Sequence, residues 1–404
     1  MISNETKYNQ DWDLKKLEDI GKFGRGKSKH RPRDDKTLFG GKYPFIQTGQ
    51  IKSTTLNLRD YSNTYNDKGL AQSKLWEKGT LCITIAANIA ETAVLDINAC
   101  FPDSIVGFVP NEDKHDAYYM HYVFCYLRRV IQRSVSGSVQ DNINLAYLKK
   151  LEFRIPELNE RKRITKILKN LDEKIEKNSE VNKKLEEMAQ AIFKQWFVDF
   201  EFPNEKGKPY KSSDGAMVDS DFGMIPGGWK ISNFSEIATF KNGKAIKQSL
   251  RNEEGRNNIF GANGIIGHTN EILTETPCLI IGRVGAYCGS IQRTLTSSWT
   301  TDNAIICLPK ECYYYSYIYY SLLKSSLREK AGGSAQPLLN QGLLNSTRTV
   351  IPCSNVVKMF DKVILSMLKT IENNIIENKK LAEIRDAILP KLMSGEIRVP
   401  VEEQ

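Results

Sequence analysis

The chain has 404 residues, a formal net charge of +9 and 26% charged residues, which is long enough for two domains with connectors and too ordinary in composition for a disordered, fibrous or collagen-like chain. The positive balance suits a phosphate-bearing partner without requiring one. Eight cysteines contain no C-x-x-C pair, and the four histidines do not sit at ligand spacing from them, so metal sites and disulfide frameworks are disfavoured.

The N-terminal stretch "MISNETKYNQDWDLKK" has no apolar signal core, and no apolar run approaches the roughly 20 residues that cross a bilayer. A cytoplasmic protein without a membrane anchor is expected. Next comes "GKFGRGKS" (21–28), which matches the phosphate-loop pattern G-x-x-x-x-G-K-[ST]. That pattern carries weight only between a buried strand and a helix. Here the preceding "WDLKKLED" is charged and Pro32 follows closely enough to stop a helix. "AVLD" (93–96) has the look of a magnesium-binding strand end but is a common pattern.

Short apolar runs, "LCITIA" and "SIVGFVP", bounded by Gly, Pro and Asn, predict strands between residues 12 and 156. "AYYMHYVFCYLRRVI" (117–131) predicts one helix among them, its tyrosines serving packing. After Ile155-Pro156 the pattern changes to a heptad seam: Ile164, Leu168, Leu171, Ile175, Asn178, Asn182, Leu185, Ala189, Ile192 and Trp196. A helix over about 158–197 would run roughly 60 Å. Phe193, Trp196 and Phe197 at its end are candidates for either partner contact or core. Residues 203–229, rich in Gly, Pro, Ser and charge, read as a connector.

The rest of the chain repeats what came before. Gly137, Ser138, Gln140, Asn144, Leu148, Ile155 and Pro156 return 196 positions later as Gly333, Ser334, Gln336, Asn340, Leu344, Ile351 and Pro352. Trp12 pairs with Trp229, Phe23 with Phe240, Gly26-Lys27 with Gly243-Lys244, and Asp103 with Asp302. "CLIIG" and "AIICLP" predict strands and "YYYSYIYYSLLKSSL" (313–327) a helix. The second seam is Phe360, Ile364, Met367, Ile371, Asn374, Asn378, Leu381, Arg385, Ile388 and Leu392, with Pro390 expected to end or kink the helix in its last turn. Asparagines at the middle of both seams fix register, because sliding would leave their amides unpaired. Asn178 and Asn182 are expected to meet Asn374 and Asn378. Periodicity leaves parallel and antiparallel pairing open.

The second copy also tests the phosphate loop. It reads "ATFKNGKA" (238–245), without the first glycine or the hydroxyl residue. What both copies keep is Phe-x-x-Gly-Lys, read as a turn in which glycine supplies the bend and lysine faces a polyanion. The polar loops diverge between copies. "GRGKSKHRPRDDK" (24–36) stands against "GKAIKQSLRNEEGR" (243–256), "IQTGQIKSTT" against "FGANGIIGHTN", and "AANIAETA" against "GRVGAYCG". Lys and Arg hold phosphates, whereas Asn, Gln and Arg read base edges. On that basis Arg25, Lys27, Lys29 and Arg31 are the phosphate candidates of the first copy, with Gln47 and Asn88 nearer the bases. Lys244 and Lys247 take the first role in the second copy, and Asn263, Arg283 and Tyr287 the second.

Two modules that open on Trp and close on Gly-Ser-x-Gln…Ile-Pro, each followed by a long heptad helix, resemble the specificity subunit of Type I restriction–modification systems. "DSDFGMIPGGWKISNFSEIATFKNGK" (219–244) is similar to the entry into that family's second recognition domain. The resemblance covers essentially the whole chain. It implies an α+β protein with two strand-rich target recognition domains (1–156 and 229–352). Each is followed by a long helix (157–202 and 353–400), with a linker at 203–228, and the helices pair as an antiparallel coiled coil. It implies a non-catalytic reader of a split double-stranded DNA site, the coiled coil setting the spacer. The partners would be two methylation subunits and restriction subunits, which would hold S-adenosylmethionine and ATP. No [ND]-P-P-[FYW] loop occurs here, in keeping with no catalytic residue and no metal in this chain. Two readings compete: a nucleotide-using DNA-modifying enzyme built on 21–28, and a coiled-coil adaptor for other proteins.

Overall fold

The computed structural model describes residues 11–111, 113, 116–136, 143–332 and 337–399. The chain divides into two compact units, one of residues 1–180 with 374–404 and one of 181–373. The unit boundaries fall inside the two long helices, so each unit takes part of both.

In the first unit, strand Asp13–Lys16 pairs antiparallel with Glu152–Ile155 and closes the module. A five-stranded sheet runs in the order Gly21–Arg25, Ile105–Pro110, Leu81–Thr84, Thr92–Leu95, Asn57–Leu58. Two of its three inner strands, Leu81–Thr84 and Thr92–Leu95, are buried at every residue. A second sheet, ordered Asn63–Tyr65, Phe39–Phe45, Ala99–Cys100, Leu75–Trp76, completes the module. Helix Asp116–Ser136 packs on the first sheet, with Tyr119, Tyr122 and Phe124 in the core.

The second unit repeats the plan. Lys230–Asn233 pairs with Arg348–Ile351. A sheet runs Ala238–Asn242, Ala304–Pro309, Cys278–Gly282, Ile291–Thr294, and a three-stranded sheet runs Gly264–Thr269, Asn257–Gly261, Ser298–Thr300. The expected second internal helix is shorter, Tyr315–Lys324, with a single 3-10 turn before it and another short helix, Leu327–Lys330, after it. Asn144 and Asn340 recur in the sequence because each caps a short helix, accepting from Tyr147 N and Leu343 N at 2.8 Å. The Gly-Ser-x-Gln positions 137–140 and 333–336 lie outside the described residues.

The first long helix is Leu158–Phe197, as its heptads require, and the second is Ser354–Ser394. Pro390 does not end the second one. The helix runs four residues further, and Gly395, at φ 72°, terminates it. In the first unit the two pair antiparallel. Arg398 meets Glu160 at 2.6 Å, Arg385 meets Asp172 at 2.6 Å, and Asn178 Nδ2 donates to Asn378 Oδ1 at 2.8 Å. Of the asparagines expected to meet, Asn178 and Asn378 thus do. Arg385, placed in the seam by spacing alone, is there because Asp172, 1% exposed in its side chain, needs a counter-charge. In the second unit Asn182 faces the Ile371 carbonyl, and Phe193 and Phe197 pack on Phe360. Asn374 is half-buried on the second helix.

Each module is also tied sideways to its helix. Glu176 accepts the backbone amides of Leu56 and Asn57 at 3.0 and 2.7 Å, and Glu186 binds Arg293 at 2.9 Å. Of the two roles left open for the helix end, Phe193 and Phe197 take the core one, 7% exposed and packed with Tyr317 and Trp229. One sequence expectation changes here. The connector is built into the second unit, since Phe202 stacks between Tyr210 and Trp229 with ring centroids 4.5 and 5.2 Å apart. Its polar composition concealed two aromatic anchors.

Candidate nucleic-acid interface

In the first module the loop 101–105 acts as a hub of backbone hydrogen bonds. Gly26 N donates to Ile105 O at 2.9 Å, Lys27 N to Phe101 O at 3.0 Å, and Ile85 N to Ser104 O at 3.0 Å. Ile46 N donates to Cys100 O at 2.8 Å just before it. Lys27, Gln47 and the loop carrying Asn88 are each held within three residues of these contacts. A Cβ on Gly26 would sit 2.2 Å from Phe101 O and 2.4 Å from Pro102 O. The glycine is therefore required by close backbone approach and not by the bend that the sequence suggested. No helix follows between residues 26 and 35, and Ser28 is buried. The phosphate-loop match lacks the helix N-terminus that would bind phosphate. Asp96, the would-be magnesium ligand, is held by Arg59 at 2.5 Å and Lys78 at 2.7 Å.

Arg25, Lys27 and Lys29 are exposed, and Lys29 N is anchored on Gln72 Oε1 at 2.6 Å. Lys74 lies 3.4 Å from the Trp76 ring centroid. Burial first, and then the nearby Lys27 charge, lower its pKa. Two lysines crowded in this way favour an anion between them. Arg31 is more committed than its sequence suggested. Its guanidinium donates to Ser28 O at 2.6 Å and His30 O at 2.9 Å and lies 4.0 Å from Asp103, which also holds Arg33 at 2.7 Å. Asp35 receives the Thr37 amide and pairs with His30 at 2.7 Å, contacts that hold its carboxyl below the usual range.

Gln47 is exposed and lines a cleft of about 690 Å³ with Arg33, Lys36, Phe39, Asn63 and Ser104. Arg33, Lys36 and Asn63 were missed in the sequence, although the first two lie in its cationic run. Asn88 is half-buried in a loop whose Ala87 and Ala90 take φ of 65° and 61°. Its carbonyl is bonded by the Thr84 hydroxyl.

The second module repeats the hub at 300–304. Gly243 N donates to Ala304 O at 3.0 Å, Lys244 N to Thr300 O at 2.9 Å, Thr301 N to Phe260 O at 2.9 Å, and Arg283 N to Asn303 O at 3.0 Å. A Cβ on Gly243 would meet Thr301 O at 2.2 Å and Thr300 O at 2.4 Å. Trp299 Nε1 donates to the Lys244 carbonyl at 2.8 Å. Asn263 is exposed at the tip between strands Asn257–Gly261 and Gly264–Thr269. The neighbouring Ala262 carbonyl accepts from Ser290 Oγ at 2.6 Å, and Ser290 N donates to Tyr287 O at 3.0 Å. Asn263, Arg283, Tyr287 and Lys244 are thus linked through one short network. Arg283 Nε is buried without a hydrogen-bond acceptor among the described residues, a donor that a ligand can satisfy. Lys247 is exposed at the start of the turn Gln248–Leu250.

No cluster of His, Cys, Asp and Glu suited to a metal occurs among the described residues, and no described helix is long and apolar enough to cross a membrane. The eight cysteines are free, five of them fully buried.

The chain matches the family described as Type I restriction modification DNA specificity domain over residues 9–187 and 226–386. It is 23% identical to the Type I restriction enzyme MjaIX specificity subunit of Methanocaldococcus jannaschii, over 97% of this chain and 95% of that one. It is 25% identical to the HindI specificity subunit of Haemophilus influenzae, over 67% and 74%. Its fold is similar to the crystal structure of a Type I restriction–modification S subunit from M. genitalium, with a TM-score of 0.66 at 20% identity over 96% of this chain and 98% of that one.

Proposed function

Because the chain belongs to the Type I restriction–modification DNA specificity family, we propose that it reads a bipartite DNA site, one module per half-site, with the paired long helices setting the unread spacer. The chain is the non-catalytic specificity component, and catalysis lies in partner subunits. Those partners are two methylation subunits and, with them, restriction subunits. S-adenosylmethionine and ATP are bound by the partners, in the cytoplasm. Every specificity determinant then falls to this chain's loops.

The observation that carries this reading is the doubled hub. Residues 101–105 and 300–304 use three equivalent backbone hydrogen bonds to hold different loops. Lys27 and Lys244 leave the two hubs in equivalent positions and are exposed for phosphate. The residues beside them differ, as two readers of different sequences require. The antiparallel pairing in each unit, with Asn178 on Asn378 and Asn182 on Ile371 O, supports paired helices held in one register.

Expression of the chain with its methylation subunit, followed by mapping of methylated adenines, tests the proposal. Two short defined blocks separated by a constant number of unspecified base pairs are expected. A single continuous motif, or methylation unrelated to this chain, would contradict it.

A further inference from the structure

The reading edges of the two modules diverge at one point of the frame. Phe45 pairs parallel with Cys100 in the first module, and Phe260 pairs parallel with Thr300 in the second. After Phe45 the chain turns into the short helix Thr48–Ser53. After Phe260 it doubles back through the tip at Asn263 into strand Gly264–Thr269. Ile265 and Ile266, just past the tip, are 54% and 45% exposed. The register shifts beside them, Phe260 facing Ile265 and Ile259 facing Gly267, so Ile266 is the extra residue of a bulge, where the strict alternation of faces is broken and a side chain is re-aimed.

The other strand of the hairpin, Asn257–Gly261, is mostly buried and pairs on its far side with Ser298–Thr300, so the tip and the strand after it are what project. Gly264 and Gly267 take φ of +116° and +151°, and a Cβ on Gly261 would come 3.1 Å from the Ile266 side chain. The tip is held in place, because the Ala262 carbonyl accepts from Ser290 Oγ at 2.6 Å and Gln292 Nε2 at 3.3 Å. The hub that holds the backbone of Lys244 and Arg283 also bonds to Phe260 O, and Phe260 pairs with Ile265, so both cations rise from backbone tied to the strand beside the apolar pair, with Asp302 as the acid of the same loop. An exposed isoleucine pair beside cations suits a surface that is anionic at its rim and apolar inside. The major groove of DNA is such a surface. It admits a two-stranded ribbon, and thymine there presents a C5 methyl group.

We infer that the hairpin tip 262–266 enters the major groove of the half-site read by the second module, with Asn263 at the base edges and Ile265 and Ile266 packed on the C5 methyl of a thymine. This rests on the DNA-reading role proposed above and names the chemical group that the second module recognises.

The test uses the complex of this chain with its methylation subunit and duplexes carrying the mapped site. Each thymine of the second half-site, on either strand, is replaced in turn by deoxyuridine, which lacks only the methyl. Binding of the native complex should weaken about fourfold at one position, the worth of one methyl group returned to water. The double variant Ile265→Ala/Ile266→Ala should bind thymine and deoxyuridine duplexes alike at that position. Its salt dependence should match the native one, because no charge is removed. The variant Ile266→Leu, which keeps apolar volume, should retain methyl sensitivity.

An equal response of native and double-variant complexes at every thymine, or no response at any position, overturns the inference. The parent reading fails separately, if exchanging residues 229–352 leaves the methylated sequence unchanged. Both isoleucines are exposed, so the double variant should fold. Thermal melting checks this, and the single alanine variants carry the same comparison if the double variant melts early.

Discussion

The first module has a cleft lined by Arg33 and Lys36 in a cation-rich region, several of whose cations are already engaged. Arg31 and Arg33 share Asp103, and Lys74 covers Trp76. The second offers a projecting hairpin tip with fewer cations, an unpaired Arg283 Nε and an exposed Tyr287. Beneath this difference the frame is the same. The hubs at 101–105 and 300–304 are made of backbone N–H and C=O groups, and such bonds place no demand on side-chain identity. Only the glycine of Phe-x-x-Gly-Lys is dictated, because any Cβ there would strike two carbonyl oxygens. A scaffold that constrains one glycine and leaves its loops free can change what it reads without changing how it folds.

The largest expected effect strikes the shared frame. Gly243→Ala should cost about 3 kcal/mol through overpacking, lowering a thermal midpoint by several degrees and abolishing discrimination at the second half-site only. Gly26→Ala should do the same at the first. If either variant melted as the native chain does, the close approach would not be the reason for the glycine.

Next comes a loop that differs between the modules. Arg283→Ala should lose about 2 kcal/mol at one base-pair position and relax specificity there, as expected of a base-reading arginine. A uniform loss across all sequences would instead move Arg283 to the phosphates. Lys244→Ala should weaken binding to every sequence and reduce the slope of log affinity against log salt by about 1. Lys27→Ala should match it, since the two lysines leave equivalent hubs. An unchanged slope would remove them from the phosphate set.

The smallest effect probes what the first module has and the second lacks. Asp103→Asn frees Arg31 and Arg33 from a half-exposed ion pair worth about 0.5 kcal/mol. DNA binding should tighten about twofold with a steeper salt dependence. The matching change Asp302→Asn removes a like charge but releases no arginine, because Asp302 has no ion-pair partner among the described residues. It should steepen the slope less. Titrations of both variants across a salt series check the difference.

Much of this was legible in the residues. The heptads gave the first long helix its limits, because an apolar step of three and four has no other stable use over so many turns. The repeat gave two like modules, and the central asparagines pointed to one another, of which Asn178 and Asn378 meet. What stayed hidden depended on three-dimensional proximity. Periodicity holds no sign of direction, so antiparallel pairing came from resemblance and then from Asp172 meeting Arg385. Nothing local marks Gly26 as packed against carbonyls some 75 to 80 residues away in sequence. Arg31 looked as free as Lys29, and its engagement by Asp103 is a long-range contact that cationic composition cannot reveal. Phe202 and Trp229 sit at the two ends of a polar stretch, so the stretch read as a tether.

The claim on which the rest depends is that two modules read two halves independently. Exchange of residues 229–352 for the corresponding module of a relative with a different target, followed by mapping of methylated adenines, tests it directly. The account predicts a new second half-site with the first half-site and the spacer unchanged. A change in both halves, or in neither, would contradict it.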